Sequence, residues 1–266
     1  MAFKTNGSSH KNGIKNEVRV AKKLQKVGQK LFPNLSKDFQ VNLAGGTQNK
    51  ADIILEDVSH KIPVSVKRKD RLDKGSYDHV NSSAAVKQTP SLAPICNEVK
   101  QIVNSHNSNQ LTVWSKTAIN DVRKACNDVF EAAMKKMTSS ELSKILKDHI
   151  NDKNDGFTVV VSDISTQKDY KFDYNDMPLK NSIDNHTPKL VWGRGKTSCK
   201  VVFEDDNGTI HDHGIRIRVV LNNGVNALLG TSNSANKTSM PVVKIQQDRV
   251  DNVISAMQKI NKVQTF

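Results

Sequence analysis

Residues 50–70 read KADIILEDVSHKIPVSVKRKD. Asp52 is a lone acid in one apolar run, and Lys67 closes a second, with Ser65 two positions before it. Alternation along a strand puts Asp52 and Ile54 on one face of 51–55, and Pro63, Ser65 and Lys67 on one face of 62–67. If the two strands pair, Asp52, Ser65 and Lys67 project from the same side of a sheet. A carboxylate and an amine at adjacent strand ends suit hydrolysis of a phosphodiester. The carboxylate holds Mg²⁺, which polarises the phosphate and lowers the pKa of a water. The lysine steadies the attacking hydroxide or the pentacovalent transition state. The ordinary alternative is a surface salt bridge.

A second acid comes from the first helix. Ile14, Val18, Ala21, Leu24, Gly28 and Leu31 fall on one face of a helix over 12–31, and Glu17 lies inside that stripe. Burying a carboxylate without a partner is costly. A metal, a lysine or a water network should offset it, unless Glu17 pairs with a core lysine or sits at an exposed helix end.

The elements that would position these groups follow in order. The FPN at 32–34 stops the first helix. FQVNL (39–43), ADIIL (51–55) and IPVSVK (62–67) read as strands, and AGGTQNK between the first two as a turn. A short helix is expected near 80–88, then helices over 95–105, 116–137 and 139–150, with SSEL (139–142) capping the last. FTVVVSD (157–163) returns to strand. KLVWGRG, CKVVFEDDNGTIHDHGIRIRVVLNNG and MPVVKIQ read as further strands, with a hairpin at DNG (206–208). An amphipathic helix over 248–262 carries Val250, Val253, Ile254, Met257 and Ile260. The expected fold is α/β (α+β): a core over 1–163 with a mixed sheet flanked by helices and a helical insertion, then a β-rich region over 164–266 that closes on a helix and serves DNA recognition.

Helix with Glu17 (NEVRVAKKL), strand, strand with Asp52 (GGTQNKADIIL), strand with Ser65 and Lys67 (PVSVKRK), helix, strand: this order resembles the PD-(D/E)xK nuclease superfamily, whose fold is restriction-endonuclease-like. The resemblance covers about the first 163 residues. It implies a metal-dependent nuclease in which Asp52 binds Mg²⁺ (Mn²⁺ as a substitute) and Lys67 positions the nucleophile. Ser65 stands where the motif has an acid. A subgroup of restriction enzymes resembles this SVK form, with a Glu on the following helix replacing the acid. Here Asp70, Asp73 and Asp78 are the only nearby acids after Lys67, so Glu17 is assigned as second carboxylate, with Asp78 as the fallback. Ser65 is then expected to bond a water on the ion.

Charge supports a polyanionic partner. The 266 residues hold 40 Lys and Arg against 27 acids, a formal charge of +13, which suits nucleic acid. Arg68, Lys69, Arg71 and Lys74 crowd the exit of the Lys67 strand and are expected at phosphates. Arg194 and Lys196, in WGRGKTSCK, are expected in a DNA-facing loop. Arg216 and Arg218 share a strand face, where arginine can read guanine in the major groove. Aromatic residues make up only 5%, which argues against a stacking platform for single strands and for duplex DNA.

The remaining candidates are weaker. His211 and His213 share a face but precede a strand, not a ligand-bearing helix, and read as ordinary histidines. Cys96, Cys126 and Cys199 form no CxxC pair and read as buried thiols in a reducing compartment. No apolar stretch approaches the roughly 20 residues of a membrane span, and no signal peptide is apparent, so a cytoplasmic location is expected. The function expected is a site-specific endonuclease on double-stranded DNA, like a type II restriction enzyme and acting as a homodimer. A phage-type homing, repair or junction-cleaving nuclease is the alternative on the same core. A non-catalytic DNA-binding protein is the alternative outside it.

Overall fold

A computed structural model of the chain describes residues 8–44, 51–69, 79–81, 98, 101, 116–193, 198–220 and 242–266. The fold is α+β, with a mixed sheet and flanking helices. The chain divides into two compact units. One comprises Asn6–Tyr77, Asn151–Asp184 and Asp248–Phe266; the other takes up Asp78–Ile150 and Asn185–Gln247.

In the first unit, α1 (Ser8–Leu31) buries Val20, Ala21, Leu24 and Leu31 together with Phe32, Leu35 and Phe39. Pro33 cannot continue the helix, and the Phe32 amide closes it on the Gly28 carbonyl at 2.7 Å. A side chain at Gly28 would meet the Phe39 ring, since a Cβ there would lie 2.6 Å from Cζ. The chain then forms an antiparallel meander of β1 (Gln40–Leu43), β2 (Ile53–Glu56) and β3 (Lys61–Lys69). After a long excursion, β5 (Thr158–Asp163) adds parallel to β3. Next come β6 (Lys168–Asp173) and the short β12 (Gln264–Thr265), each antiparallel to its neighbour. Every position of β5 is buried, as a run of apolar residues in a central strand covered on both faces should be.

The two faces of this sheet are occupied differently. Ile53, Leu55, Val64 and Val160 pack against α1, with Val66 at their margin. Ser65, Lys67 and Lys69 alternate to the other face. There Lys69 Nζ pairs with Asp163 Oδ2 at 3.0 Å and with Asp251 Oδ1 at 2.6 Å, which ties α6 (Val250–Lys259) to this side. On the α1 side, the Asp169 side chain is fully buried and receives Arg19 and Lys23. Lys23 also donates to the Phe266 carbonyl at 2.8 Å. Burial alone would raise the Asp169 carboxyl, but the hydrogen bonds from Arg19 and Lys23 outweigh it and hold it below its ordinary range. A three-residue helix α4 (Asp152–Asn154) leads into β5, and α5 (Pro178–Asn185) follows β6.

The second unit is an antiparallel sheet in the order β4 (His79–Asn81), β11 (Val242–Gln246), β10 (Arg216–Val220), β8 (Ser198–Glu204), β7 (Thr187–Trp192), with β9 (Ile210–His211) on β8. Cys199, Val201, Phe203, Ile217 and Ile245 are buried. So are Cys126, Phe130 and Met134 of α2 (Lys116–Lys136) and Leu142, Ile145 and Leu146 of α3 (Ser139–Leu146). Phe130 meets Trp192 edge-on at 6.0 Å, joining α2 to this sheet. The β8–β9 hairpin turns at DNG as expected, with Gly208 at φ 79°.

Several expectations are corrected. The chain does not divide at residue 163. β6 continues the first sheet and α6 returns to it, while the helices expected inside the core belong with the second sheet. Residues 79–81 form a strand where a helix over 80–88 was expected, and 82–90 lie outside the described residues. Of 95–105 only Glu98 and Gln101 are described, both helical. The cap of α3 is Thr138, one residue earlier than expected. Its hydroxyl accepts from the Glu141 amide while the Glu141 carboxylate accepts from the Thr138 amide.

Candidate active site

The site begins where β2 parts from β3. The Asp52 amide still donates to the Val64 carbonyl at 2.9 Å, and the Ala44 amide donates to the Asp52 carbonyl at 3.0 Å. One step further along β3, the Val66 amide is bonded by a side chain instead. Asp52 Oδ2 accepts from it at 2.6 Å, and Ser65 Oγ donates to the same oxygen at 3.4 Å. An amide in a strand points along the plane of its sheet. The Asp52 carboxylate therefore sits in the opening between the two strands, half-buried.

The pairing expected of Asp52 and Ser65 is found, but the serine has a different task. Ser65 is only 2% exposed, and its hydroxyl is given to Asp52, not held open for water. Lys67 is half-buried on the same face of β3 as Ser65. Arg68 is half-buried and alternates to the α1 face, in register with Ser162.

Glu17 is half-buried and continues the stripe of Val20, Ala21 and Leu24. That stripe packs against Val64 and its neighbours, so Glu17 is carried on the α1 side of the sheet while Ser65 and Lys67 alternate to the other. Asp52 sits in the opening between the strands, with Glu17 on the α1 stripe and Lys67 on the Ser65 face of β3. Among the described residues no three His, Cys, Asp or Glu side chains gather into a metal-holding group. Asp78 lies outside the described residues.

The chain was compared with family models, with curated proteins and with solved structures, and it matches none of them.

The expected DNA contacts separate. Lys69 is spent inside the fold. The hydrogen bond that Lys69 donates to Asp251 raises its ammonium above the ordinary value against the opposing effect of burial, and Asp163 adds to it. It does not reach out to phosphate as expected. Arg71, Arg194 and Lys196 lie outside the described residues. Arg216 and Arg218 do share an exposed face, with Ile217 buried between them.

The other motifs take structural roles. His211 Nε2 meets Asp205 Oδ2 at 3.0 Å, and its ring stacks on His186 at 4.8 Å. His213 lies against Phe203. Cys126 and Cys199 are buried, and burial pushes their thiols up to about 11 and about 12, the reverse of nucleophilic activation. Cys96 lies outside the described residues. Sequence reasoning missed the Val66 amide and the two acids that hold Lys69. Asp163 ends the β5 motif and could have been matched to Lys69 had β3 and β5 been read as parallel neighbours.

Proposed function

We propose that the chain is a divalent-metal-dependent nuclease with a restriction-endonuclease-like core, cutting duplex DNA site-specifically. The observation that carries the proposal is the placement of Asp52 against Ser65 at the point where β2 leaves β3, with Lys67 next along the same face. The strand order supports it as well: an antiparallel meander bearing Asp52 and Ser65-x-Lys67, then a strand parallel to the third after a helical excursion.

Asp52 offers hard oxygen ligands of the kind Mg²⁺ or Mn²⁺ takes, and Glu17 is the second candidate. Mg²⁺ is commonly held by one or two carboxylates with waters and substrate phosphate completing its shell, so a sparse protein set is compatible with it. When bound, the ion would neutralise phosphate charge and activate water. The chain's own part is threefold. Ser65 and the Val66 amide hold one oxygen of Asp52 and so fix the direction of the other. Lys67 brings a positive charge to the side where charge builds on the phosphate. The packed strands keep both groups from moving apart. Cutting both strands of a duplex needs two such centres, so the working form is a homodimer. A homing, repair or junction-cleaving role rests on the same chemistry, and a panel of nicked, branched and linear DNA separates these.

One observation favours a second reading. Asp52 already serves the fold by satisfying the Val66 amide, and Ser65 replaces an acid. Both suit a DNA-binding protein that does not cut. Incubation with plasmid and phage DNA plus Mg²⁺ tests the choice: discrete fragments that vanish in Asp52→Asn support the nuclease, and no cutting by the unmodified protein overturns it.

A further inference from the structure

The second unit carries a feature that the cutting chemistry does not use. The sheet β4–β11–β10–β8–β7 turns an apolar face inward, and on β10 burial alternates between Ile217 and its exposed neighbours. Its inward positions, among them Cys199, Val201, Phe203, Ile217 and Ile245, are buried. Register sets Arg216 beside Lys200 and Gln246, and Arg218 beside Ser198, in rows on the opposite face. The side chains of Arg216 and Arg218 are exposed. Among the described residues neither makes a hydrogen bond or an ion pair. Lys200 is half-exposed and pairs with Asp212 at 2.5 Å, and Lys189, further across the face, pairs with Glu204.

Two exposed guanidiniums that pair with no described residue, two positions apart on one strand, suit an occupant that supplies repeated negative charge. Residues i and i+2 of a strand lie roughly 7 Å apart, close enough for two long side chains to reach neighbouring phosphates of one DNA strand. Arginine forms planar, bidentate bonds with phosphate. Trp192 pairs with Cys199 on the inward side and meets Phe130, so its ring is turned away from the outer face, where a platform for unpaired bases would need it.

We infer that the outer face of this second sheet docks the phosphate backbone of duplex DNA through Arg216 and Arg218. The inference extends the nuclease proposal by assigning the substrate-holding surface, and it stands or falls separately because holding requires no chemistry.

The experiment measures binding of the full chain to a short DNA duplex, to the matching single strand and to phosphatidylserine-containing vesicles. It is run in EDTA across a potassium chloride series, so that no cutting occurs. The Arg216→Ala/Arg218→Ala protein should bind duplex about tenfold or more weakly, with the slope of log K against log salt reduced by about 1.8, near 0.9 for each lost phosphate contact. The Arg216→Lys/Arg218→Lys protein, which keeps both charges and guards against misfolding, should hold most of the slope. An unchanged slope in the alanine protein overturns the inference. So does equal affinity for the single strand, or preference for vesicles over duplex. An unmodified chain that binds duplex with this salt dependence, yet leaves the same duplex intact when Mg²⁺ replaces EDTA, strikes only the nuclease proposal.

Discussion

Asp52 Oδ2 lies 2.6 Å from the Val66 amide nitrogen, so the carboxylate stands in for the strand partner that β3 loses where β2 turns away. The same residue is the first choice for a metal ligand. Its two tasks can be pulled apart by mutation.

Asp52→Asn keeps an acceptor for the Val66 amide, whereas Asp52→Ala leaves that amide without one. The alanine protein should be destabilised by about 1–3 kcal/mol, and the asparagine protein by much less. Both should lose Mg²⁺-dependent cutting. Urea unfolding curves alongside plasmid assays distinguish the roles.

Ser65 is buried beside Asp52, and the nuclease proposal sets it where an acid would stand. Ser65→Asp would put two carboxylates together, which is unfavourable without a cation. The variant should melt below the unmodified protein in EDTA and recover more of its Tm on Mg²⁺ addition, since a ligand stabilises the state that binds it. Equal Mg²⁺ responses in the two proteins would count against a metal at this place.

Lys69 holds Asp163 and Asp251 together, so β3, β5 and α6 share one ionic contact. Lys69→Met should destabilise the fold by about 1–3 kcal/mol by leaving a buried carboxylate short of a donor. Duplex affinity and its salt slope should not change, in contrast to the arginine pair of the second sheet.

Acid should weaken the first unit. Burial opposes ionisation of Asp163, but hydrogen bonds from Ser165 and Lys69 prevail and bring its pKa down to about 2. Asp169 is lowered as well by Arg19 and Lys23. An unfolded aspartate titrates near about 3.9. Each depressed carboxyl therefore adds stability that is complete above that value and is lost as pH falls through it toward the folded pKa. Tm should be level with respect to these groups from about pH 5 to neutrality and fall steeply below about pH 4. Asp163→Asn should start lower and fall less.

Gly28 is set by packing. An added methyl would press on the Phe39 ring, which is itself buried. Gly28→Ala should cost about 1–3 kcal/mol as overpacking, despite the better helix propensity of alanine. Chemical denaturation measures it.

Much of the first sheet was legible because its strands alternate cleanly and its helix keeps one apolar stripe. β2, β3, β5, α1, α2 and α6 all fall where periodicity puts them. The Asp52–Ser65 pairing was legible too, since antiparallel register follows from two short apolar runs joined by a polar turn. β6 was missed because four of the six residues of KDYKFD are charged and its turn, ISTQ, holds no Gly, Pro, Asn or Asp; Gln167 takes the left-handed conformation instead, at φ 55°. The charges of β6 are absorbed by tertiary partners, with Asp169 under Arg19 and Lys171 over the Phe32 ring. No local pattern carries that information. The side of the sheet on which Glu17 lies was likewise beyond reach, because it depends on which face α1 covers.

The most direct test of the central claim is a plasmid-cutting assay with Mg²⁺ on the unmodified chain, Asp52→Asn and Lys67→Ala, each checked for duplex binding in EDTA. The nuclease proposal expects discrete fragments from the unmodified chain and none from either variant, with all three binding alike. Cutting that survives both substitutions, or an unmodified chain that binds duplex and leaves every DNA intact, would contradict it.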